Sequence, residues 1–85
     1  MKREQIVKQI ADIKNNSAAN KIAAFSSLLL EAAKEGYHDL VATLTEDGAV
    51  VNHVDSSGKT ALMWAARGGY KETAELLITK GAEIN

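Results

Sequence analysis

Residues 60–85 read Thr60-Ala61-Leu62-Met63-Trp64-Ala65-Ala66-Arg67-Gly68-Gly69-Tyr70-Lys71-Glu72-Thr73-Ala74-Glu75-Leu76-Leu77-Ile78-Thr79-Lys80-Gly81-Ala82-Glu83-Ile84-Asn85. The stretch decides the fold because the chain has used its pattern once before. A shift of 33 positions carries Leu29 onto Leu62, Ala32-Ala33 onto Ala65-Ala66 and Gly36-Tyr37 onto Gly69-Tyr70. The same shift carries Leu44 onto Leu77, Gly48-Ala49 onto Gly81-Ala82 and Asn52 onto Asn85. Nine of the 25 positions from 28 to 52 recur unchanged, and Asp39/Glu72 and Val51/Ile84 are conservative. A fixed period of this length marks stacked supersecondary units, none of which buries its own apolar face alone.

Each unit reads as two short helices. Thr60 is placed to cap the first, its hydroxyl accepting from an otherwise orphaned amide. Leu62, Ala65 and Ala66 follow at helical spacing, with small Ala where another helix comes close. Gly68-Gly69 ends that helix, because a left-handed position after the last turn favours Gly. A second helix is expected from about Tyr70 to Lys80, with Ala74, Leu76, Leu77 and Ile78 on its apolar side, stopped by Gly81 before an extended exit. The earlier unit repeats this with Leu28, Leu29, Ala32 and Ala33, a stop at Gly36, then Leu40, Val41 and Leu44 and a stop at Gly48. Between them, Val50-Val51-Asn52-His53-Val54-Asp55-Ser56-Ser57-Gly58-Lys59 reads as a projecting, hairpin-like turn.

Residues 55–85 and the helical and Gly-Ala-x-x-Asn portions of residues 28–54 resemble the ankyrin repeat, with Leu29-Leu30-Glu31-Ala32-Ala33-Lys34-Glu35-Gly36 in the wording of a first repeat. Two departures stand out. The family's Thr-Pro-Leu-His is Thr60-Ala61-Leu62-Met63 here, and Ile22 to Ser27 fill the slot of the first unit's opening turn. The resemblance implies an all-α helical repeat, a solenoid of helix-turn-helix units with a short β-hairpin-like finger between them and an N-terminal capping helix. It divides the chain into an N-terminal helical extension (1–27), an atypical first repeat (28–54) and a second repeat (55–85). It also implies a non-catalytic module that presents a concave surface to a protein partner. Carried over position by position, the partner-facing residues are Ser56, Ser57 and Lys59 in the finger, Trp64, Arg67 and Gly68 in the second unit, and Glu31, Lys34 and Glu35 in the first. A charged helix end is also commonly just solvated, and Trp64 can equally pack as an ordinary inner-helix aromatic.

The N-terminal third follows another pattern. Ile6, Val7, Ile10 and Ile13 form an apolar stripe at helical spacing over residues 3–14, and Asn15-Asn16-Ser17 is a break. Ser17 or Asn20 can cap a further helix, in which Ile22, Phe25, Leu28/Leu29 and Ala32 recur, so that it runs into the first inner helix. A cap over the end of the stack explains the stripe best, since terminal repeats are atypical. An amphipathic membrane anchor is the rival, weakened because the stripe lacks Trp and Phe and because Glu4 and Asp12 interrupt its basic face.

Composition limits the chemistry. The 85 residues carry a net charge of −1 and contain neither Cys nor Pro, which removes disulfides, thiolate metal sites, thiol nucleophiles and Pro-rich ligand motifs. Residues 1–34 balance at +3 and residues 35–85 at −4, so no basic footprint for nucleic acid emerges. No uninterrupted apolar run comes near the length of a membrane span. A cytoplasmic chain is the expected setting, with export as an effector left open. His53, Asp55 and Ser57, spaced two apart, are the one nucleophile-like row. Their order puts Asp rather than His in the middle, and turn formation already accounts for them. His38 and His53 lack metal-binding spacing, and no Gly-x-Gly-x-x-Gly or Walker loop occurs. No cofactor, metal, nucleic acid, membrane or small-molecule substrate is expected.

Two units are few, since about three are usually needed for a stable stack. The last helix pair is expected to leave Leu62, Ala66 and Leu77 with nothing stacked on them. Covering roughly 400 Å² of such a face is worth at most on the order of 10 kcal/mol, comparable with the stability of a small domain. Either the chain is part of a longer array or two copies cover each other's open ends, a homo-oligomer.

Overall fold

The computed structural model describes residues 2–15 and 21–82. Five helices lie among them: α1 (Arg3–Asn15), α2 (Lys21–Glu35), α3 (His38–Glu46), α4 (Ala61–Gly68) and α5 (Lys71–Thr79). The inner helices α2 and α4 pack on each other, the outer helices α3 and α5 do likewise, and each unit folds as an antiparallel pair, α2 with α3 and α4 with α5. Helix α1 packs on α2. The expected caps at Ser17 or Asn20 and the exit at 83–85 lie outside the described residues.

The 33-residue period is written into the main chain. After α2, Gly36 donates to the Ala33 carbonyl (3.2 Å) and Tyr37 to Ala32 (3.0 Å); after α4, Gly69 donates to Ala66 (3.2 Å) and Tyr70 to Ala65 (2.9 Å). Both are Schellman closures, which require a left-handed residue. Gly36 and Gly69 supply it with φ of +73° and +74°. Tyr70 explains a second demand on glycine. Its ring lies so close that a Cβ on Gly36 would be 2.5 Å from Cδ1, and one on Gly68 2.5 Å from Cε2. The aromatic ring thus seats one unit on the next through two positions without side chains.

Helix α2 runs unbroken from Lys21 into the first unit, as its periodicity predicts, and buries Phe25, Leu28, Leu29, Leu30, Ala32 and Ala33. It therefore fills the slot where the second unit has its finger. Ser26 makes that substitution work: its buried hydroxyl donates to the Ile22 carbonyl (2.7 Å) and accepts the Val50 N–H (2.8 Å), tying the loop after α3 to α2. Ile22 itself is exposed. In α1, Ile6 and Ile10 are buried and Ile13 packs against the core, whereas Val7 turns out to solvent.

Charge pairs run along the outer layer. Arg3 pairs with Asp39 and Lys14 with Asp47 (3.0 Å), so α1 lies beside α3 in the same direction. Glu46 pairs with Lys80 (3.8 Å) and His38 Nδ1 stands 3.7 Å from a Glu72 carboxylate oxygen, so α3 lies beside α5 in the same way. The guanidinium of Arg3 also stands 5.7 Å from the centre of the Tyr37 ring. Exposed pairs of this kind add little energy each. Their pattern shows direction: α1 runs parallel to α3 and α3 to α5, while α1 rests mainly on α2.

The expectation for the open end needs correction at one residue. Leu77 is fully buried, as is Leu44 one period earlier, because both point inward between the inner and outer helices. Leu77 is therefore core and not part of the uncovered face. Leu62 is half-buried and Ala66 exposed. Exposed Tyr70 and Ile78 and half-buried Ala74 extend that face across both helices.

Candidate inner-helix and finger surface

The finger begins at the residue that turns it. Asp55 Oδ1 accepts the N–H groups of Ser57 (2.8 Å) and Lys59 (3.0 Å), an arrangement in which an Asx side chain stands in for main chain. The backbone closes the same turn, Gly58 donating to the Asp55 carbonyl (2.9 Å) and Asp55 to that of Lys59 (3.1 Å). Among the described residues no strand is formed, so the hairpin-like finger is this closed turn. Thr60 then caps α4 as expected, its hydroxyl accepting the Met63 N–H at 3.3 Å.

The second carboxylate oxygen of Asp55 reaches across to α4 and accepts the indole Nε1–H of Trp64 at 2.8 Å. One side chain thus joins the finger to the inner helix. These groups hold the Asp55 carboxyl below the usual carboxylate range: the Lys59 N–H contributes most, burial opposes it next, and the Trp64 N–H, the Ser57 N–H and the Lys34 charge tip the balance further down. The row of His53, Asp55 and Ser57 is accordingly a turn, in which Ser57 meets the carboxylate through its main-chain N–H. Among the described residues no cluster of His, Cys, Asp or Glu is arranged to hold a metal ion, and no helix is long and apolar enough to cross a membrane.

Trp64 is half-buried and collects cations. Lys34 of α2 places its Nζ 4.7 Å from the ring centre, with Lys59 of the finger at 5.8 Å and Arg67 of α4 at 5.9 Å. Cations within about 6 Å of an indole face are drawn to it, by about 0.5–1 kcal/mol where exposed. Lys34 also pairs with Glu31, one turn earlier on α2, at 3.5 Å. Five of the residues singled out in the sequence therefore converge: Glu31, Lys34, Lys59, Trp64 and Arg67. Ser56 and Ser57 stand exposed at the finger tip. Glu35 is exposed on the last turn of α2, and Gly68 is spoken for by the ring of Tyr70. The sequence offered Asp55 only as a turn former; its link to Trp64 spans nine residues and carries no local signature.

Comparison with known proteins places this geometry. A family model described as ankyrin repeats (3 copies) matches residues 2–85, α1 included. Osteoclast-stimulating factor 1 of Rattus norvegicus is 35% identical over 74 residues, which cover 86% of this chain and 35% of the relative. The same factor of Danio rerio is 30% identical over 74 residues, with coverages of 86% and 35%. Ankyrin repeat and KH domain-containing protein mask of Drosophila melanogaster is 45% identical over 60 residues, 71% of this chain and 2% of that protein. The chain spans about a third of the length of the osteoclast-stimulating factors it matches. Taken with five helices in a 33-residue period, these matches show that the chain belongs to the ankyrin-repeat family.

Proposed function

We propose that the chain is a non-catalytic module that binds a protein partner through the inner-helix and finger surface centred on Trp64. Ankyrin repeats are in general protein-interaction modules. The observation that carries the reading is the tie between Asp55 and Trp64, which fixes finger and inner helix to each other before any partner arrives. A surface already ordered loses little entropy on binding, and Trp and Arg are the side chains that most often dominate such contacts. Ser56, Ser57, Lys59, Trp64, Arg67 and Gly68 are the second unit's contribution; Glu31, Lys34 and Glu35 are the first's. The division into 1–27, 28–54 and 55–85 belongs to the same reading, with α1 standing beside α3 where the outer helix of a leading unit would stand. The test is a comparative capture with the intact chain and with a Trp64→Ala, Arg67→Glu form shown to be folded. Loss of the captured partner supports the proposal; equal recovery of the same proteins by both forms overturns it.

A second reading makes the uncovered face of α4 and α5 the interface for a second copy of the chain. A shallow groove of about 160 Å³ on that face is lined by Ala65, Ala66, Gly69, Tyr70, Lys71 and Ala74. It repeats, 33 positions on, the neighbourhood of Gly36 that receives the ring of Tyr70. No atom comes within 4 Å of a Cβ built on Gly69. In a longer chain the next unit takes this place. Light scattering that shows a stable monomer well above micromolar concentration removes the second-copy reading; association abolished by Ala66→Glu supports it.

A further inference from the structure

The cations around Trp64 differ in how they are satisfied. Lys34 has the carboxylate of Glu31 within 3.5 Å, but Lys59 and Arg67 have no carboxylate within ion-pair distance among the described residues. Asp55, which accepts the Ser57 and Lys59 N–H groups and the indole N–H, is not within ion-pair distance of either cation head. Two positive heads therefore flank a half-buried indole whose Nε1–H is held by the Asp55 carboxylate, and neither head is in an ion pair among the described residues. On the same stripe one unit earlier, Glu31 and Glu35 occupy the positions equivalent to Trp64 and Gly68. Lys59 and Arg67 against Asp55 leave one net positive charge at the second unit, and Lys34 against Glu31 and Glu35 leaves one net negative charge at the first.

We propose that the segment recognised here is an acidic stretch of a protein, with carboxylates paired to Lys59 and Arg67 on either side of an apolar side chain laid on Trp64. This rests on the inner-helix and finger surface being the binding face. Carboxylates suit the site because each cation gains a partner while keeping its place over the ring, and because a guanidinium binds a carboxylate through two parallel N–H groups. A nucleic acid suits it less: its phosphates continue along the stripe into Glu31 and Glu35, where like charges meet.

Trp64 is the only Trp, so its emission reports the site directly. Three peptides with one central Leu, flanked by Glu, by Gln or by Lys, and a single-stranded oligothymidine are titrated into the intact chain. The Glu peptide is expected to change the emission saturably. Its affinity is expected to fall several-fold as salt is raised, and about tenfold or more in a folded Lys59→Glu, Arg67→Glu form. Equal binding of the Gln or Lys peptide, if lost in Trp64→Ala, overturns the acidic partner while leaving the face itself as a binding surface. Binding of the oligothymidine in preference to the Glu peptide overturns the proposal in favour of nucleic acid. Absence of any emission change with the Glu peptide overturns it as well, leaving the capture comparison to judge the face independently.

Discussion

Helices α2 and α4 occupy equivalent places in successive units, yet they live in different surroundings. In α2, Leu29 and Ala33 are both fully buried; their counterparts Leu62 and Ala66 in α4 are half-buried and exposed. Along the outer layer Val41 is fully buried, whereas its counterpart Ala74 is only half so. The residue types are nearly the same, so the difference comes from coverage: α2 lies between α1 and α4, while α4 has a neighbour on one side. In a stack of this kind the core belongs to the junctions between units more than to the units themselves. A Leu at one position is worth whatever the next unit makes of it.

The largest effect that would break this comparison is a matched pair of truncations. Leu29→Ala empties a fully enclosed site and is expected to cost about 3–5 kcal/mol, whereas Leu62→Ala, already half in water, is expected to cost about 1 kcal/mol. Leu44→Ala and Leu77→Ala make the control, because both are fully buried within their own units. Each should cost about 2–5 kcal/mol, and similarly in the two units. Denaturant unfolding of the four variants checks the pattern; a negligible effect at Leu77, or equal effects at Leu29 and Leu62, would contradict it.

A smaller contrast is written at two glycines with the same dihedral. Gly69→Ala meets no neighbour, so only the left-handed backbone resists it, at about 1 kcal/mol. Gly36→Ala carries the same backbone strain and also drives a methyl into the Tyr70 ring, adding about 1–3 kcal/mol. The difference between the two melting points isolates the seat of that ring from the turn itself. If Tyr70→Ala removed none of the difference, the ring would not be what Gly36 accommodates.

What the sequence made legible follows the same division between local and distant causes. The period, the stops at Gly36, Gly48, Gly69 and Gly81, the Thr60 cap and the long α2 are all local patterns, and each is realised in the structure. The cluster around Trp64 was legible only as separate residues, because Lys34 and Lys59 come to the indole through the stacking of α2, finger and α4. The part of Asp55 was hidden by its strong signature as a turn former. The sequence alone puts Leu77 on the open face because periodicity distinguishes an apolar side of a helix but not which of two neighbours it meets. The charge pairs that align α1 with α3 bridge 36 and 33 residues and have no short-range pattern to betray them.

Those pairs give the smallest and most condition-dependent effect. The Arg3 guanidinium beside Asp39 pulls its carboxyl down from 3.8 to about 2, outweighing the opposing effect of burial. A carboxyl whose folded value is depressed stabilises the fold at every pH above its unfolded value and loses that contribution as pH falls through the folded one. For Asp39 the window runs from about pH 4 to about pH 2. Both side chains are roughly half exposed, so the contribution is modest and screened by salt. Asp39→Asn is therefore expected to lower the melting point slightly at neutral pH and low salt, with the gap to the unaltered chain closing toward pH 2. Raising salt at neutral pH should narrow the same gap. The pair fixes α1 beside the first outer helix, and α5 has no such helix beyond it among the described residues. A gap that persisted unchanged at pH 2 would mean that Asp39 acts through the first turn of α3 and not through Arg3.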